Sequence, residues 1–209
     1  MADLLTLTAP ELAALLCSRV CHDIISPVGA INNGLELLDE GGADEDAMNL
    51  IRTSARNASA RLQFARIAFG AAGSAGMQID TGDAEAVAKA YIRNEKPDME
   101  WVGGRALLPK NKVKLLLNLL LISIGAIPRG GQIKVMLETL ETTPVFTITS
   151  TGPMVRVPPK FLELHSGQKP AEAIDAHAVQ PYYTMLLARE AGMEISIRAT
   201  AEDVTFTAR

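Results

Sequence analysis

The stretch DEDAMNLIRTSARNASARLQFARIAF, residues 44–69, sets Met48, Ile51, Ala55, Ala58, Leu62, Ala65 and Phe69 at alternating spacings of three and four. An apolar position about every 3.5 residues marks a helix with a single apolar seam, and the small alanines allow a neighbouring helix to come close. A first helix precedes it. Thr8 and Glu11 form a Thr-x-x-Glu capping signal, Pro10 sits in the first turn, and the pattern continues to about Glu40, where Gly41 and Gly42 supply a stop. The short GGAD connection folds the two helices into an antiparallel hairpin. Two helices alone bury little apolar surface. A second copy completing a four-helix bundle is the expected remedy, so a homodimer is predicted.

Past this hairpin the pattern changes. The residues GAAGSAG have the composition of a flexible linker. Beyond them MQID, MEWV, QIKVMLE and TPVFTIT read as strands, and MEISIRA with VTFTA as a closing hairpin. Helices are expected from about Asp83 to Asn94, over KVKLLLNLLLISIGAI, and over 177–191. The predicted fold class is α+β: a helical hairpin over 1–70, a linker over 71–76, and a two-layer α/β sandwich over 77–209.

Composition narrows the function. A net charge of −4 lacks the basic excess typical of nucleic-acid binders, and aromatics at 4% leave little for base stacking. The longest apolar run, Val113 to Ile127, is interrupted by Asn118 and is too short to span a bilayer. The N-terminal residues lack a basic region and a small-residue cleavage site. The expectation is a cytoplasmic protein with no membrane and no nucleic-acid partner. Cys17 and Cys21, four apart on one helix, are poorly placed to bridge each other and read as reduced, near-core thiols.

The segment CHDIISPVGAINNG, residues 21–34, carries the chemistry. On a wheel of about 100° per residue with His22 at the origin, Leu12, Leu16, Val20, Ile24, Val28, Ile31, Leu35 and Leu38 fall between roughly 80° and 240°. His22 therefore stands on the polar side, in solvent, at mid-helix. Pro27 inside the same helix costs one backbone hydrogen bond, about 3 kcal/mol, and releases the Asp23 carbonyl. A solvent-facing imidazole followed by a carboxylate, with a proline five positions on, is more specific than any of its parts.

His22-Asp23-Ile24-Ile25-Ser26-Pro27 resembles the phosphoacceptor box of histidine kinases, which lies on the first helix of a dimerising hairpin. The α/β half resembles the kinase ATP-binding domain with its nucleotide boxes altered. Where the family has a magnesium-holding Asn, the run from Asn118 offers Ile122 and Ser123. Where it has an adenine-binding Asp and a second Gly, this chain has Ser150 and Met154. The phosphate-approaching glycines are replaced by Ala178, Val179, Gln180 and Pro181 before Tyr182 and Tyr183, and only glycine lets a backbone approach so closely. With all three boxes altered, neither ATP nor its metal is expected to bind. The chain resembles the histidine phosphotransferases of the ChpT type.

That resemblance implies a phosphorelay. His22 would take a phosphoryl group from the receiver-domain Asp of a hybrid histidine kinase and pass it to the Asp of response regulators. Asp23 would assist the imidazole by orienting or deprotonating it, or act only through its charge or at the interface, since adjacent helical residues do not face each other. No cofactor is implied in this chain, because the receiver brings its own Mg²⁺. Arg19 and Ser26 flank His22 on its face, and Arg52, Arg56, Arg61 and Arg66 make the second helix locally basic. Arg19, Ser26, Arg52 and Arg56 are the expected receiver-docking residues, suited to the acidic active sites of receivers. His165 and His177 carry no partner pattern. Two other readings compete: a divergent ATP-binding histidine kinase, and a non-catalytic dimeric adaptor that docks receivers.

Overall fold

A computed structural model describes residues 6–41, 44–70, 78–168, 173–176 and 178–209. Expectations that fall on the linker 71–76, on 42–43 and on His177 lie outside the described residues.

Helix α1 (Ala9–Asp39) opens with the expected capping box. The Glu11 N–H donates to Thr8 Oγ1, and the Thr8 N–H donates to Glu11 Oε2 at 2.8 Å. The Thr8 hydroxyl also donates to Oε2, at 2.7 Å, and this bond, followed by that from the Thr8 N–H, holds the Glu11 carboxyl below its ordinary range. The helix runs unbroken through Pro27, whose ring is buried. Helix α2 (Asp44–Ala68) returns alongside it. The pairing is antiparallel: Gly34 lies against Ala47 and Ile51 near one end, and Val20 and Ile24 share a cleft with Phe64, Ala65 and Phe69 nearer the other. A Cβ at Gly34 would sit 2.6 Å from Ile51 Cγ1, so glycine is what allows the close approach.

The heptad seam of α2 divides between two surroundings. Ala58 is buried, Ile51 and Ala65 are half-buried, and Ala55 and Leu62 face solvent. Phe64, Ile67 and Ala68 turn instead into the core of the following unit. The α1 stripe divides likewise. Leu12, Leu16, Val20, Ile24, Ile31 and Leu38 are half-buried, whereas Val28 and Leu35 are exposed at 42% and 48%. Cys17 and Cys21 are also exposed, contrary to the near-core expectation.

The rest is the expected two-layer unit, with two additions. Strand β1 (Gln78–Asp80) leads into α3 (Thr81–Ile92), then β2 (Asp98–Val102), β3 (Leu107–Pro109) and α4 (Lys110–Ala126). Strands β4 (Gln132–Glu138) and β5 (Val145–Thr151), helices α5 (Pro159–His165) and α6 (Val179–Ala191), and strands β6 (Ile195–Ala199) and β7 (Asp203–Ala208) complete it. Sequence reading misses β3, which pairs antiparallel with β1, and the short α5. The main sheet has the order β2-β4-β5-β7-β6, with β2 parallel to β4 and the other neighbours antiparallel. Rows such as Val135–Ile148–Phe206 lie in register on one face and are buried under the helices. The other face is polar, with Thr149 and Thr205 hydroxyls 3.1 Å apart and Lys134 near Glu100. This alternation is what a sheet covered on one side requires.

A candidate phosphoacceptor site on the helical hairpin

The hairpin and the α/β unit meet along α2. Arg61 reaches out of α2 to α3, where Nη2 donates to Glu95 Oε1 at 2.7 Å just beyond the helix end. Its Nη1 lies 3.4 Å from the Tyr91 hydroxyl, its guanidinium carbon sits 5.2 Å from the Tyr91 ring centroid, and Nε donates to Asn57 Oδ1. The Phe64 ring lies 4.6 Å from the Tyr91 ring, tilted by 40°. Burial pushes the Tyr91 hydroxyl up to about 12, and it pushes the Glu95 carboxyl up against the opposing pull of Arg61. Arg61, counted in the sequence as part of a basic docking helix, is thus committed within the protein.

This joint borders the histidine. Asp23, Val20 and Ile24 of α1 line a shallow cleft with Arg61 and Tyr91. Asp23 points into it and His22 away from it, as expected for neighbours about 100° apart on a helix. The His22 side chain is 67% exposed, as the helical wheel predicts. Asp23 nevertheless turns one oxygen back: Oδ1 lies 3.6 Å from His22 Nδ1, an electrostatic contact longer than a hydrogen bond. The other oxygen, Oδ2, accepts from Arg19 Nε at 2.9 Å across one helical turn. Arg19, His22 and Asp23 are therefore brought together. Ser26, Arg52 and Arg56 are exposed on the hairpin, and Arg52 and Arg56 make no ion pair among the described residues. The i, i+4 spacing of Arg19 and Asp23 permits this pairing, which sequence reading did not single out.

Several residues of the altered nucleotide boxes are buried and bonded within the protein. Asn118 is fully buried, and its Nδ2 donates to the carbonyls of Ala68 and Lys114 at 3.0 and 2.9 Å. Gln180 Nε2 donates to the Asn118 carbonyl and lies 3.1 Å from Thr184 Oγ1. Ser150, at the position of the missing adenine-binding acid, donates to the Ser123 carbonyl. The start of α6, where glycines would admit phosphate, is filled by buried Tyr182 and Tyr183. The Tyr182 hydroxyl accepts from the Leu7 N–H, and Tyr183 packs against Phe69 of the hairpin. Among the described residues no group of three or more His, Cys, Asp or Glu side chains is gathered closely enough to hold a metal ion. A separate cleft of about 510 Å³ between α5, α6 and β6 has a mostly apolar lining and contains none of the residues above.

Residues 81–203 match the family model described as the histidine phosphotransferase C-terminal domain. This chain belongs to that family. The phosphotransferase is 75% identical, over 97% of both chains, to the protein phosphotransferase ChpT of Brucella abortus (strain 2308). Its fold superposes with a TM-score of 0.93 on a solved bacterial phosphotransferase, at 73% identity and over 98% of each chain. The α+β architecture and the phosphotransferase activity expected from the sequence are thereby established.

Proposed function

We propose that the phosphotransferase carries phosphoryl groups between aspartates of two receiver domains, with His22 as the carrier. The supporting observation is His22 itself, two-thirds exposed at mid-helix with its Nδ1 turned toward a carboxylate. A neutral imidazole nitrogen presents a lone pair that can act as a nucleophile. In-line positioning and charge neutralisation are most of what phosphoryl transfer requires, and the receiver contributes the Mg²⁺. The donor would be the receiver of a hybrid histidine kinase and the acceptors would be response regulators. Ser26, Arg52 and Arg56 form the docking face on the hairpin, where guanidinium groups with no ion pair among the described residues suit an acidic partner. Arg19 shares that face and is taken up below.

The division of labour follows the chain: residues 1–70 transfer and dimerise, 71–76 link, and 77–209 form a nucleotide-free support. Supporting the last point, the amide of Asn118 and the first turn of α6 are occupied by contacts within the protein. Supporting the dimer, Cys17, Cys21, Val28 and Leu35 form a continuous exposed stripe on α1, on the side away from His22, and Leu62 of α2 is half exposed. A second hairpin covering this stripe gives the four-helix bundle. The same stripe accounts for α1 being long and apolar enough to cross a membrane by composition. Arg19, His22 and Asp23 at its middle suit a bundle in the cytoplasm better than a bilayer.

Incubation with a receiver carrying labelled aspartyl phosphate tests the proposal. Acid-labile, base-stable label should appear on the wild-type chain and be lost in His22→Ala. Label that survives in His22→Ala, or signalling intact without any label, would replace this reading with a different acceptor or with an adaptor. Labelling from ATP alone would restore the kinase reading.

A further inference from the structure

The hydrogen bond between Arg19 and Asp23 gives Arg19 a different role from docking. Asp23 is approached by charged and titratable groups from three elements: Arg19 and His22 on α1, Arg61 on α2, and Tyr91 with Glu95 at α3. Arg61 is spent on Glu95, Tyr91 and Asn57. Among the described residues, Arg19 is then the only side chain that hydrogen-bonds the Asp23 carboxylate. Without it the carboxylate would be free to rotate about its last bond and present either oxygen, or neither, to the imidazole.

We propose, resting on the reading of His22 as phosphoacceptor, that Arg19 is a positioning residue: by fixing Asp23 Oδ2 it keeps Oδ1 directed at His22 Nδ1, which holds the ring proton on Nδ1 and assigns the attack to Nε2. The step balances without a base. The Nε2 lone pair forms the bond to phosphorus while the bond from phosphorus to the receiver's aspartyl oxygen breaks, its electron pair leaving with that carboxylate. Nδ1 keeps its proton, and the positive charge that develops on the ring lies beside Oδ1. In the forward transfer the same contact relaxes as Nε2 recovers its lone pair. Hydrogen bonds of this kind in unliganded sites are commonly long and shorten as the partner arrives, consistent with the present 3.6 Å separation. A buttress one residue removed from the reacting group typically contributes on the order of tenfold in activity.

A double-mutant cycle separates positioning from docking. Transfer from a phosphorylated receiver is measured under single-turnover conditions, over a range of receiver concentrations, for wild type, Arg19→Ala, Asp23→Ala and the double variant. Arg19→Ala should lower the maximal rate about tenfold and leave the half-saturating receiver concentration unchanged. In the Asp23→Ala background the same change should cost less than about twofold, because nothing remains to be positioned. Arg19→Lys, which lacks the planar fork, should restore only part of the rate. Nitrogen-15 chemical shifts of His22 should report a ring proton predominantly on Nδ1 in wild type and a mixture in Arg19→Ala. An equal loss in the Asp23→Ala background, a raised half-saturation, or an unchanged tautomer ratio would overturn the inference and return Arg19 to the docking face. A wild-type chain that takes no label at all would instead sink the underlying reading of His22.

Discussion

Deleting the Arg61 side chain probes the joint between hairpin and α/β unit, and its size can be worked from the geometry. Arg61 and Glu95 are 20% and 21% exposed, and their charge-assisted hydrogen bond is 2.7 Å long. Such a bond contributes about 1.5–3 kcal/mol, and the guanidinium over the Tyr91 ring adds about 0.5–1 kcal/mol. Arg61→Ala should therefore cost about 2–4 kcal/mol near neutral pH. The pH dependence has a definite sign. Desolvation already raises the Glu95 pKa above its ordinary value, and Arg61 opposes the rise. Removing Arg61 raises the folded-state value further. A group that binds its proton more tightly when folded loses stabilisation as pH climbs from the unfolded value through the folded one. The deficit should thus be small near pH 4 and should grow toward pH 7. Urea unfolding followed by far-ultraviolet circular dichroism, at one fixed protein concentration, measures both quantities. Adding Glu95→Gln to Arg61→Ala should flatten the pH dependence. A deficit under about 0.5 kcal/mol, or one that ignores pH, would mean that this contact behaves as an ordinary surface pair and that the reasoning is wrong.

The remaining predictions concern other parts of the molecule. Reversing charge with Arg52→Glu and Arg56→Glu should slow transfer from a receiver at low salt by an order of magnitude or so and largely abolish its salt dependence; rates insensitive to the change would exclude this face from docking. Val28→Asp with Leu35→Asp should turn the proposed dimer into a monomer in sedimentation at micromolar concentration, because each charge would have to be buried at the interface; a dimer that persists would put the contact elsewhere. Gly131 has φ 138° and lies where a Cβ would collide with the Thr151 carbonyl, so Gly131→Ala should lose about 2 kcal/mol or more in denaturant unfolding.

The hairpin and the orientation of His22 were legible because a helix of 31 residues samples its period many times over. What periodicity could not decide was whose surface covers each apolar residue. Val28 and Leu35 carry the same signal as Leu16 and Val20, yet only the latter two meet the rest of their own chain. The alanine seam of α2 is blurred in the same way, since Ala58 packs inward and Ala55 does not. Strand β3 and helix α5 were missed because three residues ending in proline and a seven-residue turn between prolines give too little pattern to read. The losses at Ile122, Ser150 and Met154 were visible as identities. That Gln180 is bonded to Asn118 was not, because it depends on a contact between residues more than sixty positions apart. Arg19 was seen as a charge near the histidine, and its bond to Asp23 was overlooked although the spacing permits it.

Asn118 and Tyr182 fasten the α/β unit to the hairpin at two separate points, through the Ala68 carbonyl and the Leu7 N–H. An enzyme that draws phosphate from its own nucleotide must bring nucleotide and histidine together, and a unit tethered in this way has no such journey to make. The platform around His22 is already in place before any partner arrives. On the proposed reading, traffic through it is set by how often partners collide and by which of them holds the higher-energy phosphate, as in a wire more than a valve.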